Sequence, residues 1–168
     1  SVAFDPPLSS VKQEASALKH VGGGYKVFIE VDGDPGAVMT LSRSTDSPLI
    51  GSFTYKRGQK HSVLAGFSLE PGALEKPLSE WQTVLEEFLP GVRLLSTFGH
   101  DWGVDALSQG SWCTYRPGTF GRFVDELPRH EDHCFFASAD TSEGWRGFIE
   151  GAIASGSKAA VAVANSLN

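Results

Sequence analysis

Period-two alternation in "YKVFIEVD" and "HSVLAGFS", turn sequences "GDPG", "STDSP" and "RGQ" between short strand-like runs, and flanking amphipathic stretches predict an α+β fold. The sheet is expected to be mixed but mostly antiparallel, covered by helices on one side. With 168 residues, 40% of them hydrophobic, the chain is long enough to bury a core of its own.

The opening "VAFDPPLS" reads as a short strand stopped by Pro6 and Pro7, and "SSVKQEASALKH" as a helix with a Ser N-cap and an apolar face of Val11, Ala15 and Leu18. His20 begins a loop through "VGGG". The runs "YKVFIEVD", "AVMTLS", "SFTYK" and "HSVLAGFS" then form an antiparallel meander. In "PLSEWQTVLEEFLPG", Ser79 precedes a stripe of Trp81, Val84, Leu85 and Phe88 that Pro90 and Gly91 close, which predicts an amphipathic helix. "VRLLSTFGHDW" follows as a strand leading into a polar loop, and "GSWCTYRPGTFGRF" as an irregular segment rich in Gly and aromatics. "HCFFASAD" reads as a buried strand, and a last helix is expected from about Trp145 to Ser166.

A net charge of -6 excludes a nucleic-acid surface or polybasic membrane patch. Cys113 and Cys134, the two cysteines, read as reduced, buried thiols. The start lacks the basic and apolar regions of a signal peptide, and Lys158 interrupts the last helix, so no membrane span is expected. The start at Ser1, inside a strand-like run, suggests a fragment or processed subunit.

The last helix poses the main question. Gly147, Gly151, Ser155 and Ala159 fall at helical spacing where a core helix carries Leu, Ile or Phe. A helix of this kind either packs tightly on its sheet or lies close to another backbone or a flat cofactor. The N–H groups of its first turn suit an anion or a carbonyl oxygen.

Other features carry less chemistry. His130 and His133 in "RHEDH" follow Pro128 and read as a charged surface turn, with no metal expected. His100 and Asp101 resemble a base pair, but Ser111 in "QGSW" is not in a G-x-S-x-G elbow, which argues against acyl transfer. "VGGGYK" lacks the G-x-G-x-x-G spacing of a dinucleotide loop. Trp102, Trp112, Tyr115, Trp145 and Phe148 stand beside glycines in irregular segments, as core residues or as the walls of a pocket for a planar ligand or cation.

"HDWGVDALSQGSWCTYRPG" and "CFFASADTSEGWRGFIEGAIASGSKAA" resemble the C-terminal part of the flavin-containing monoamine oxidases, and "FDPPLSSVKQEA" with "GGGYK" is similar to the start of that family's substrate-domain segment. The likeness looks closest to the fungal-type enzymes, with Trp and Phe where animal enzymes have two tyrosines. It implies a substrate-binding portion over residues 1–100. Residues 101–168 would be a flavin-contacting segment, contributing the last strand and helix of an FAD-binding domain whose N-terminal part is a partner portion or chain.

The resemblance further implies that the last helix points its N-terminus at the pyrimidine edge of a flavin. Ser138, Ala139 and Asp140 would then meet the ribityl chain, and Ile149 would offer a backbone N–H to a flavin carbonyl. Trp102 would pack beside the ring system, with Trp145 also at the cofactor, and Trp112 and Phe148 would be the aromatic walls that flank the substrate amine. Ser111 takes the position of the Cys that links flavin covalently in animal enzymes, so the FAD is expected to be non-covalent. The Lys found near flavin N5 in many members would fall at about Ser1.

The activity so implied is oxidation of a primary amine to an imine with O2 reduced to H2O2. Alternatives are a non-catalytic fragment or binding domain of the same shape, and an L-amino-acid or polyamine oxidase, the former requiring an Arg such as Arg116 or Arg146 for a substrate carboxylate. The C-terminal "NSLN" is not the S-K-L signal, leaving a soluble intracellular location as the default expectation.

Overall fold

The computed structural model describes residues 2–19, 22–44 and 46–167, so His20 and Ser1, with the readings placed on them, lie outside the described residues. Two compact units emerge: residues 23–111 form one, and residues 1–22 together with 112–168 form the other. The sequence reading divides the chain near residue 100 instead.

The unit of residues 23–111 is an antiparallel sheet with a helix on one face. Its strands are β1 (Tyr25–Asp32), β2 (Met39–Leu41), β3 (Gly51–Lys56), β4 (His61–Ser68) and β5 (Leu94–His100), ordered β2-β3-β4-β1-β5. β1 is paired along its length with β4, from Tyr25 opposite Ser68 to Asp32 opposite His61, and on its other edge with β5. The alternation seen in the sequence fixes this register, since Val27, Ile29 and Val31 all point to one buried face.

Against that face lies the helix Leu78–Phe88, labelled α2 because α1 (Ser10–Leu18) of the other unit precedes it in the chain, with Trp81, Val84 and Leu85 inward among Leu49, Leu64 and Ala73. It begins after Pro77, whose carbonyl accepts from Glu80 and Trp81, so the N-cap lies two residues before the expected Ser79. Trp81, 1% exposed, donates its indole N–H to the Ala73 carbonyl at 3.2 Å. Gln82 ties the helix to the next strand, donating to Val92 and accepting from the Leu94 amide.

The second unit is held by polar contacts as much as apolar ones. Its first helix, α1 (Ser10–Leu18), turns Lys12 inward at 5% exposure, whereas Leu18 of the expected apolar face is exposed. Burial of the ammonium is offset because it donates to the Arg129 carbonyl, pairs with Glu131 at 3.3 Å and stands 3.9 Å over the Phe136 ring. Ser9 does not cap the helix with its side chain; its N–H and hydroxyl both donate to the Glu131 carboxylate. Phe123, in the short helix α3 (Phe120–Phe123), supplies the buried bulk.

Two expected strands are absent. Residues 2–4 and 135–138 form no ladder, and the latter run shows only the isolated bridge between Glu131 and Cys134. A strand needs a neighbour to take up its backbone groups, and the described residues of this unit contain no other strand. Cys134 is exposed and Cys113 half-buried, which corrects the reading of two buried thiols. The last helix, α4 (Ile149–Ser166), starts four residues later than expected, because Trp145 (φ 50°) and Gly147 (φ 76°) adopt left-handed backbone.

Trp81→Ala should destabilise the chain by about 3–5 kcal/mol, measured by urea unfolding; a loss below about 1 kcal/mol would contradict its place at the centre of the core. Ser9 first, and Lys12 second, hold the Glu131 carboxyl below the ordinary range. A depressed folded pKa stabilises above the unfolded value and is lost as pH falls through the folded one. Protection factors in α1, exchange rates taken relative to the intrinsic rate at each pH, should therefore fall on acidification, and in Glu131→Gln they should be low at neutral pH with no acid step.

Candidate functional site

The turn before α4 is built around one close approach. A Cβ on Gly151 would overlap the Trp145 carbonyl oxygen and press on that of Gly144. Only glycine lets the first turn of the helix sit on this loop. The Phe148 amide donates to the same Trp145 carbonyl at 3.0 Å, and the Gly147 amide to Ala139 at 3.1 Å. One turn further on, the nearly buried Ser155 hydroxyl accepts from the Ser138 amide at 3.1 Å. The small residues thus serve close approach, with their polar groups spent on the loop they touch.

That loop carries most of the expected cofactor residues. Ser138 is extended, and its hydroxyl accepts from the Asp140 amide; Ala139, Asp140 and Thr141 make a single 3₁₀ turn. Trp145 and Phe148 meet edge to face, 6.0 Å between centroids at 86°, and are 70% and 63% exposed. With Ile149 and Glu150 they line an open concavity of about 540 Å³. Among the described residues no acceptor meets the amides of Ile149, Glu150 and Gly151. The start of an 18-residue helix, with Ile149 and Glu150 of its first turn, therefore lines this hollow.

Trp112, half-exposed, begins the segment that returns to this unit, and its carbonyl lies where a Cβ on Gly22 would stand. Gly22 is thus a close-packing position, while Gly23 beside it has open space. Three residues on, Tyr115 packs on Phe120 at 5.4 Å. Burial, and secondly its interaction with Cys113, push the Tyr115 hydroxyl up to about 12, and burial pushes the Cys113 thiol up. Cys113 is therefore a protonated, weakly nucleophilic thiol at neutral pH.

In the other unit, Trp102 stacks edge-on against His100 at 4.4 Å and accepts the Gly110 amide, closing the loop that ends at the exposed Ser111. His100 pairs with Asp105 at 3.3 Å, not with Asp101. Asp105 lies below the ordinary carboxylate range, chiefly because the Ser108 and Leu107 amides donate to it. The "RHEDH" run is a tight turn with Asp132 left-handed and His130 stacked on Phe135, and the described residues bring together no metal-binding group. No described helix is long and apolar enough to cross a membrane.

Comparison with known proteins gives the chain's family. The family described as flavin containing amine oxidoreductase matches residues 1–164. The chain belongs to that family. Pseudooxynicotine dehydrogenase of a Pseudomonas species is 40% identical over 99% of this chain and 34% of its own length. Nicotine dehydrogenase of Pseudomonas putida (strain DSM 28022 / S16) is 29% identical over 94% of this chain and 33% of its own. Wild-type putrescine oxidase bound to putrescine shares the fold, with a TM-score of 0.77 at 15% identity over 97% of this chain and 40% of that one. The chain thus spans about a third of the length of the curated relatives it matches.

This flavin amine oxidoreductase chain has a donor set that fits the group its family is described by. Free backbone amides at Ile149 to Gly151 suit the carbonyl-bearing edge of a planar ring, and Trp145 and Phe148 supply apolar surface beside them. Sequence reading placed Trp145 in this region and named Arg146 as a candidate for a substrate carboxylate, but not its tie to Ser142 and Phe120.

Two glycines of α4 should respond oppositely. Gly156→Ala, with nothing within 4 Å of its added Cβ, should stabilise the chain by about 0.5–1 kcal/mol through helix propensity. Gly151→Ala should destabilise it by about 1–3 kcal/mol despite the same propensity gain. Thermal unfolding followed by circular dichroism reads both; equal shifts would refute the close approach.

Proposed function

We propose that the full-length protein containing this chain oxidises an amine to an imine at a non-covalently held FAD, with O2 reduced to H2O2. The free amides at the start of α4, framed by Trp145 and Phe148, carry this reading. FAD supplies the two-electron acceptor when bound. Ile149 would offer its N–H to a ring carbonyl, with the helix terminus stabilising negative charge there. Ser138, Ala139 and Asp140 would hold the ribityl chain, and Trp102 would pack beside the ring system. Ser111 stands where a covalent link would need a thiol.

Trp112 and Phe148 would be the walls that align a neutral amine and exclude water, as in the fungal-type monoamine oxidases. The matched relatives named for nicotine and pseudooxynicotine support an amine joined to an aromatic ring, over a simple alkyl monoamine. The Nε and Nη2 edge of Arg146 is occupied by the Ser142 carbonyl, so an amino-acid oxidase would have to hold its substrate carboxylate with Arg116 or the Nη1 and Nη2 end of Arg146. The rest of the FAD-binding domain would cover α4, whose Ile149, Ile153 and Val161 are exposed in this chain. A dehydrogenase that passes electrons to another acceptor is a second reading, favoured by the names of those two relatives.

In the full-length protein, Trp112→Ala should lower kcat/KM for an aromatic-ring amine on the order of 100-fold while flavin stays bound in full. Loss of flavin with unchanged turnover per bound flavin would overturn the wall assignment. Peroxide formed in step with amine consumed supports the oxidase; none, with activity restored by an artificial electron acceptor, supports the dehydrogenase.

A further inference from the structure

Arg146 does something that the proposed chemistry does not require of it. Its Nε and Nη2 both donate to the Ser142 carbonyl, at 3.1 and 2.9 Å, crossing back over its own turn. Ser142 is buried, and its hydroxyl donates to the Gly144 carbonyl at 2.8 Å, so the point of attachment is itself fixed. The face of the guanidinium lies 4.3 Å from the Phe120 centroid and 6.0 Å from that of Tyr115. One side chain thereby joins two stretches far apart in sequence. The first carries Trp112 three residues before Tyr115; the second carries Phe148 two residues after Arg146.

We propose that Arg146 is a positioning residue that sets the separation of Trp112 and Phe148, by clamping the 112–120 segment to the turn that carries Phe148. The inference rests on the wall assignment proposed above. A guanidinium suits the task because it is planar, and can stack on one partner while two N–H groups of its edge converge on a single carbonyl oxygen of another. A lysine ammonium has neither the plane nor the fork. The flanking left-handed residues, Trp145 and Gly147, make the turn depend on such an external tie, since a non-glycine residue at φ 50° is held there only by its surroundings.

The test uses the full-length, flavin-loaded protein with Arg146→Ala and Arg146→Lys, and Phe120→Leu as a second way to remove the stack. Hydrogen exchange should rise in both 112–120 and 142–149 for all three variants, and KM for an aromatic-ring amine should rise about tenfold with flavin retained. In a Trp112→Ala background the same substitutions should change KM less than about twofold, because the wall they position is gone. Exchange that rises in 142–149 alone, or an undiminished KM penalty in the Trp112→Ala background, would overturn the clamp. If the parent protein oxidises no amine, the proposed function fails, and the paired exchange response still decides whether Arg146 joins the two segments.

Discussion

The contact on which the site depends is the backbone of Gly151 resting on the carbonyl of Trp145. Because nothing wider than a hydrogen atom fits there, the helix start and the loop before it are fixed relative to each other. The left-handed conformations at Trp145 and Gly147, the amide of Gly147 on Ala139 and the amide of Phe148 on Trp145 all follow from bringing the chain round that tightly. The result is a helix terminus with its first amides uncommitted and two aromatic rings standing beside it. A bulkier helix would bury more surface and lose this geometry.

Both units use directional polar contacts as anchors where the alternation of apolar residues alone would not specify position. In the sheet unit, the Trp81 indole and the Gln82 amide locate α2 along a face that Val27, Ile29 and Val31 would otherwise let it slide upon. In the other unit, the Glu131 carboxylate collects Ser9 and Lys12, and the Ser155 hydroxyl collects the Ser138 amide. These contacts are directional, and they hold irregular chain in place where no sheet ladder exists to do so. Irregular backbone held by directional contacts is also what a binding site built on loops requires.

The sheet was legible because period-two patterns and turn residues are local: β1, β4 and α2 appear where alternation and the apolar stripe place them. Lys12 was not, since a buried lysine becomes acceptable only through Arg129, Glu131 and Phe136, more than a hundred residues away. The run "CFFASAD" has strand composition but lacks a partner strand among the described residues of its unit, and composition cannot supply one. Likewise Trp145 looks like a helix residue until Gly151 is seen to exclude it from the helix. The small-residue stripe pointed to close approach, which Gly151 and Ser155 make with the loop before the helix. The tie made by Arg146 had no signal, since nothing local couples an arginine at 146 to a phenylalanine at 120.

In the function proposed above, the start of α4 and the aromatic residues near it form part of a flavin site that accepts an amine. Its most direct test is an anaerobic titration of the full-length protein with an aromatic-ring amine, followed in the visible spectrum. The expected outcome is a flavin, released by acid precipitation because it is not covalently attached, whose oxidised absorption band disappears as one equivalent of amine is added. A colourless full-length protein, or a bound flavin that stays oxidised in the presence of such amines, would contradict it.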